Sequence, residues 1–183
     1  MTPWFNTRKA AQIVAFFARE QGGTINVLKL AKLIYIADRK NMEKYDFSIS
    51  GDVFVSMDNG PVNSITLNCI NGLESERVGW DDFVSDRAGY EVAAARKLSD
   101  KDLDELSRAE LGTLHEVWAE FGWMDKYQIR DWTHANCPEW ENPKGSSSGI
   151  PYERVFKFLN KNNAEELAEQ ARIEQALRAS LQA

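Results

Sequence analysis

Apolar residues at Ala10, Ile13, Val14 and Phe17 keep the i, i+3, i+4, i+7 spacing of one helical face, which predicts a first helix capped by Thr7 and ended by Gly22 and Gly23. A second helix opens at Asn26 and runs to about Lys44. Its apolar positions, Leu28, Leu30, Ala31, Leu33, Ile34, Tyr35 and Ala37, spread over more than half the circumference, so this helix is expected to be central. Lys29, Lys32, Lys40 and Glu43 share its narrow polar face, while Asp38 projects amid the apolar arc. From Ile49 to Met57 the period falls to two, with Val53, Val55 and Met57 on one side, and a strand is predicted. Asn59-Gly60-Pro61 ends it, with Pro61 suited to the first turn of a short helix carrying Val62, Ile65 and Cys69 and closing near Gly72. Two extended pieces, Trp80 to Ser85 and Tyr90 to Ala94, flank Arg87-Ala88-Gly89 and predict a hairpin pairing with the first strand.

The second half of the chain reads as helical. Ser99 to Asp102 and Ser107 to Glu110 are capping-box starts, and Leu114, Val117, Trp118 and Phe121 form the stripe of a helix ending at Gly122. Asp125 starts another, to about Asn136. Pro138, Pro143 and Gly145-Ser-Ser-Ser-Gly149 form a flexible loop before Tyr152 to Leu159, and Asn163 caps a last helix. The fold class that follows is α+β and mostly helical: a compact helical domain over 1–160 with a small antiparallel β-sheet, and a C-terminal helical extension over 161–183.

Composition narrows the setting. The 183 residues are 43% hydrophobic, enough for one substantial core. No apolar run approaches a bilayer span, and Arg19 and Glu20 stand where a leader peptide needs small residues. Cys69 and Cys137 are too few for a disulfide framework and sit in no CxxC pair, so a cytoplasmic protein with reduced thiols is expected. The net charge of −6 is unevenly placed, with the first 45 residues basic and the remainder acidic. That excess argues against direct nucleic-acid binding and suits a basic protein partner.

No motif for chemistry in the chain is complete. His115-Glu116 begins like a helical zinc motif, but Ala119 occupies the position of the second imidazole. His134 and Cys137 lack further ligands, no Ser lies in a GxSxG elbow, and Gly145 to Gly149 lacks the Lys-Ser/Thr of a phosphate loop. Asp81, Asp82, Asp86 and Glu91 read as a solvated acidic hairpin surface rather than a cation site. No catalytic residue, metal or cofactor is assigned, and an enzyme is not expected.

The run Leu30-Ala-Lys-Leu-Ile-Tyr-Ile-Ala-Asp-Arg39, then Gly51-Asp-Val-Phe-Val-Ser-Met57, then Gly60-Pro-Val62 resembles the SocA-like, or Panacea, antitoxin domain. Trp118 with Gly122, Trp132-Thr-His134, Pro138-Glu-Trp140 and Ile150-Pro151 are similar to that family's later landmarks, and the likeness covers roughly residues 8 to 160. Asp46-Phe47 and Phe54 depart from the family's usual residues, and the last helix lies beyond the match. The resemblance implies a helical domain with a small sheet that neutralises a cognate toxin by direct binding, in a bacterial toxin–antitoxin pair. It implies, as an alternative, a proteolytic adaptor with a protease as second partner. It carries no catalytic set, and gives His134 a structural post, hydrogen-bonded to a helix end or to the loop of Trp140.

Seven residues stand out as candidate toxin contacts. Trp4 and Phe5 precede the first helix, either as interface aromatics or as a hydrophobic staple. Leu177 and Leu181 lie on the last helix, for docking on the domain or on a partner. Asp38, Arg39 and Asp52 either line a groove for a toxin segment or are architectural. In the architectural case Asp38 accepts hydrogen bonds near Gly60 to Val62, and Arg39 pairs with Asp52.

Overall fold

Helix α2 (Val27–Tyr45) runs through the middle of the molecule and touches helices on every side, in a computed structural model that describes residues 3–181. Asn26 caps it by accepting from the Leu28 amide at 3.0 Å, and Asp46, at φ 68°, turns the chain out of its last turn. Against it lies α1 (Thr7–Glu20), whose run from Ala10 to Ala18 is buried without interruption. The cap of α1 is Asn6, which accepts from the Lys9 amide at 2.9 Å, rather than Thr7. Thr7 instead donates its hydroxyl to the Val78 carbonyl.

The strands form two small antiparallel sheets. In one, β1 (Thr24–Asn26) pairs with β4 (Glu91–Ala93), with Ile25 opposite Val92. In the other, β2 (Phe54–Met57) is central between β3 (Gly60–Asn63) and β5 (Ser148–Ile150), so that Val55 faces Val62 on one side and Gly149 on the other. Three expectations change accordingly. The strand predicted from Ile49 begins only at Phe54, because Ser50 and Asp52 are drawn inward to bond with other elements. Pro61 belongs to a strand rather than to the helix α3 (Ser64–Ile70), and the 90–94 segment pairs with β1 instead of the 54–57 strand. The Ser-rich loop supplies β5.

The remaining helices close the core. Capping boxes open α4 (Arg108–Phe121) at Ser107 and α5 (Lys126–Asn136) at Asp125. The main core joins α1, α2, α3 and α4 around Phe16, Phe17, Leu33 and Trp80. A second cluster gathers Tyr35, Met42, Phe54, Cys137 and Ile150 with α6 (Tyr152–Phe158) and the start of α7 (Ala164–Leu181). Only the first turns of α7 are buried, through Ala164, Leu167 and Ala168, and its later apolar residues Ile173, Leu177 and Leu181 are exposed.

Lys29 and Lys32 do not lie on a solvated face, since α2 is covered there as well. Lys32 sits between α2, β3 and α5 with its ammonium on the Pro61 carbonyl at 2.7 Å.

Candidate protein-binding site

Asp38 and Arg39 on α2 bond to other elements of the fold. Asp38 is buried and accepts from the Ser50 amide at 2.9 Å, the Ser50 hydroxyl, and the Asn63 amide nitrogen at 2.6 Å. Desolvation raises its pKa, and these donors act against that rise. The backbone and hydroxyl donors expected near Gly60 to Val62 come instead from Ser50, and the donor closest to that stretch is the side-chain amide of Asn63.

Asp52 does not meet Arg39. Its carboxylate caps α3, accepting from the amides of Ile65 at 2.9 Å and Thr66 at 2.8 Å and from the Thr66 hydroxyl at 2.7 Å, while burial pushes its pKa up to about 6. Arg39 turns to Glu139 instead, with Nε 2.7 Å from Oε1, an oxygen that also accepts from the Tyr35 hydroxyl. With Asp38 and Asp52 both buried and Arg39 paired elsewhere, the three do not line a common surface. Phe5 is likewise buried in the main core, next to the cap of α1, and Trp4 is half-buried against the same cluster.

Below β3, three side chains crowd one glycine. Gly60 has φ 100°, and a β-carbon there would lie 2.9 Å from Thr133 Oγ1, 3.2 Å from Lys32 Nζ and 3.3 Å from His134 Nε2. Burial lowers Lys32 to about 7. The His134 ring stacks on Trp140 with centroids 4.0 Å apart, and Trp140 donates to the Met57 carbonyl at 2.9 Å. His134 thus keeps its structural post by stacking, not by the hydrogen bond expected of it; its Nε2 is buried without a partner.

Above that cluster an open groove of about 810 Å³ runs between the start of α2, the β2–β3 turn, the start of α5 and the 87–90 turn. Leu28, Ala31, Val62 and Leu67 form an apolar floor. Tyr90, Tyr127 and Met57 stand exposed along its walls. Each tyrosine carries a cation: Arg87 lies 5.8 Å from the Tyr90 ring, and Lys126 lies 5.1 Å from that of Tyr127. None of these residues stood out in the sequence as a contact residue, because together they come from four separated stretches and share no common period. A smaller cleft of about 380 Å³ separates α7 from the 46–51 loop and includes Trp4, Phe47 and Arg178.

Among the described residues, no three His, Cys, Asp or Glu side chains gather as metal ligands. Arg77 pairs with Asp81 and Asp86, and Arg8 with Asp82, which disperses the acidic stretch. No described helix is long and apolar enough to cross a membrane. No curated protein and no solved structure matches the chain. The family model of the SocA-like antitoxin, Panacea domain, matches residues 30–141, which span most of α2, both strands of the β2–β3 hairpin, and α3 to α5. Covering more than half of the sequence, that match makes the chain a member of the SocA-like antitoxin, Panacea domain family.

Proposed function

We propose that this protein is the antitoxin of a bacterial toxin–antitoxin pair, acting in the cytoplasm by binding its cognate toxin directly and occluding it, with no substrate turned over. Family membership is the observation that carries the reading. The fate of the buried carboxylates supports it: Asp38, Asp52 and Glu139 spend their lone pairs on amides, hydroxyls and a guanidinium, which suits a scaffold better than acid–base chemistry. Exposed aromatic side chains such as Tyr90 and Tyr127 are the residue type that anchors protein interfaces. Co-expression with the product of the neighbouring gene is expected to restore growth and to yield a co-purifying complex. Growth arrest that persists, with the toxin verified as active, rejects the reading.

The adaptor reading draws on α7. Ile173, Leu177 and Leu181 recur at i, i+4 and i+8 along its exposed end, a second apolar surface on which a protease can be engaged. Leu177→Glu with Leu181→Glu separates the two: an adaptor loses client turnover while keeping client binding, whereas loss of binding itself fits an antitoxin that clasps its toxin with this end of α7.

A further inference from the structure

The groove beside α2 has a charge opposite to that of the molecule. The chain carries −6 overall, and most of its cations are paired, as Lys9 is with Glu110, Lys44 with Glu116 and Arg154 with Glu141. Arg87 and Lys126 line the groove, and among the described residues neither has a carboxylate partner. The one acid on the lining, Asp58, has an oxygen engaged by the Gly145 amide at 2.8 Å. Asp125, beside Lys126, is occupied in capping α5.

Arg87 is also held in place. Arg87 donates from Nε to the Gly89 carbonyl at 2.6 Å and from Nη1 to the Asn71 side chain, which fixes the guanidinium near Tyr90. Ordering it on binding therefore costs little rotamer entropy. Between these cations lies the apolar floor of Leu28, Ala31, Val62 and Leu67, which offers apolar surface to a side chain laid on it.

We propose that this groove receives an acidic segment of the toxin, seating an aliphatic or aromatic side chain on the floor while flanking carboxylates meet Arg87 and Lys126. The proposal rests on the antitoxin reading for the identity of the partner, and on charge complementarity for the chemistry of the segment. A polyphosphate strand is the poorer fit. Nucleic-acid affinity grows with the number of phosphates neutralised, and here two surface cations sit on an acidic protein around an aliphatic floor.

The test uses the full chain as bait for a displayed library of random peptides, beside a single-stranded RNA oligonucleotide. Enriched peptides are expected to carry Asp or Glu around an apolar residue. Their binding should weaken by about tenfold or more in Arg87→Glu with Lys126→Glu, and return when the peptide acids are changed to Lys. Tyr90→Ala, a neutral change at an exposed side chain, should weaken it as well, and Leu177→Glu should not. Peptides with no acidic bias, peptides indifferent to the charge reversal, or RNA binding that depends on the same cations while peptides do not bind would each overturn the proposal. Growth rescue separates the two layers. If the wild type fails to rescue, the antitoxin reading falls, and the peptide result still judges the groove; if the wild type and the charge-reversed variant rescue equally, the groove is not the toxin's contact.

Discussion

Tyr35 and Arg39, one turn apart on α2, converge on a single oxygen: Glu139 Oε1 lies 2.7 Å from the Tyr35 hydroxyl and 2.7 Å from Arg39 Nε. Glu139 is wholly buried, so this contact ties the loop after α5 to the central helix through a desolvated ion pair. Removing one member of such a pair leaves the other charge stranded. Glu139→Ala is expected to cost about 3 kcal/mol. Tyr35→Phe, which deletes one neutral donor, should cost about 1 kcal/mol. Urea denaturation of both variants checks the order.

Gly60 meets two constraints at once. Its φ of 100° disfavours any β-carbon, and the space for one is filled by Thr133, Lys32 and His134. Gly60→Ala is expected to destabilise by about 2 kcal/mol or more, from backbone strain and overpacking together. Gly145, with φ 85° but open space around it, should lose less, so comparing the two alanine variants by thermal melting isolates the packing contribution.

Lys32 sets a pH dependence of stability. Burial lowers its pKa from 10.5 to about 7, so above about pH 7 the unfolded chain keeps a proton that the folded chain has released. Stability should therefore rise with pH from about 7 to 9, by about 2 kcal/mol. Beyond that the buried thiols Cys69 and Cys137, pushed up from 9.0 to about 12, act in the opposite direction. Lys32→Met should remove most of the rise between pH 7 and 9, leaving the smaller share from Lys29, whose pKa burial also lowers. Denaturant midpoints for both proteins across that window give the answer, and a rise undiminished in the variant refutes the assignment.

Helix α7 should divide at its middle. Leu167 is packed into the second core cluster, while Leu177 is 59% exposed. Leu167→Ala is expected to cost about 2 kcal/mol, and Leu177→Ala less than about 0.5 kcal/mol, by equilibrium unfolding.

Local signals in the chain were reliable where one residue acts on the next turn. Asn26, Ser107 and Asp125 announce their helices because each cap bonds an amide two or three positions on. The same logic fails for α3, whose first amides are satisfied by Asp52 from outside the helix, a partnership without a spacing rule. The Asn63 side chain, in the cap position, goes to Asp38 instead. Periodicity also misplaced Lys32, since a polar position on a helical wheel reports solvent only when nothing covers that face, and β3 and α5 do. Short strands such as β1 and β5, three residues each, carry too few alternations to register. Of the candidate contacts, the burial of Asp38, Asp52 and Phe5 depended on distant elements that no single stretch encodes.

Strand β5 has a bearing on how small this fold can be cut. The family match ends at 141, while the segment that flanks β2 on its outer side is Ser148–Ile150. A fragment trimmed to the match would keep the hairpin but bare one row of peptide groups on β2, an open template that another copy can complete. Such a fragment is expected to self-associate in solution, because residues 148–150 cover an edge of β2 that would otherwise be open to pairing.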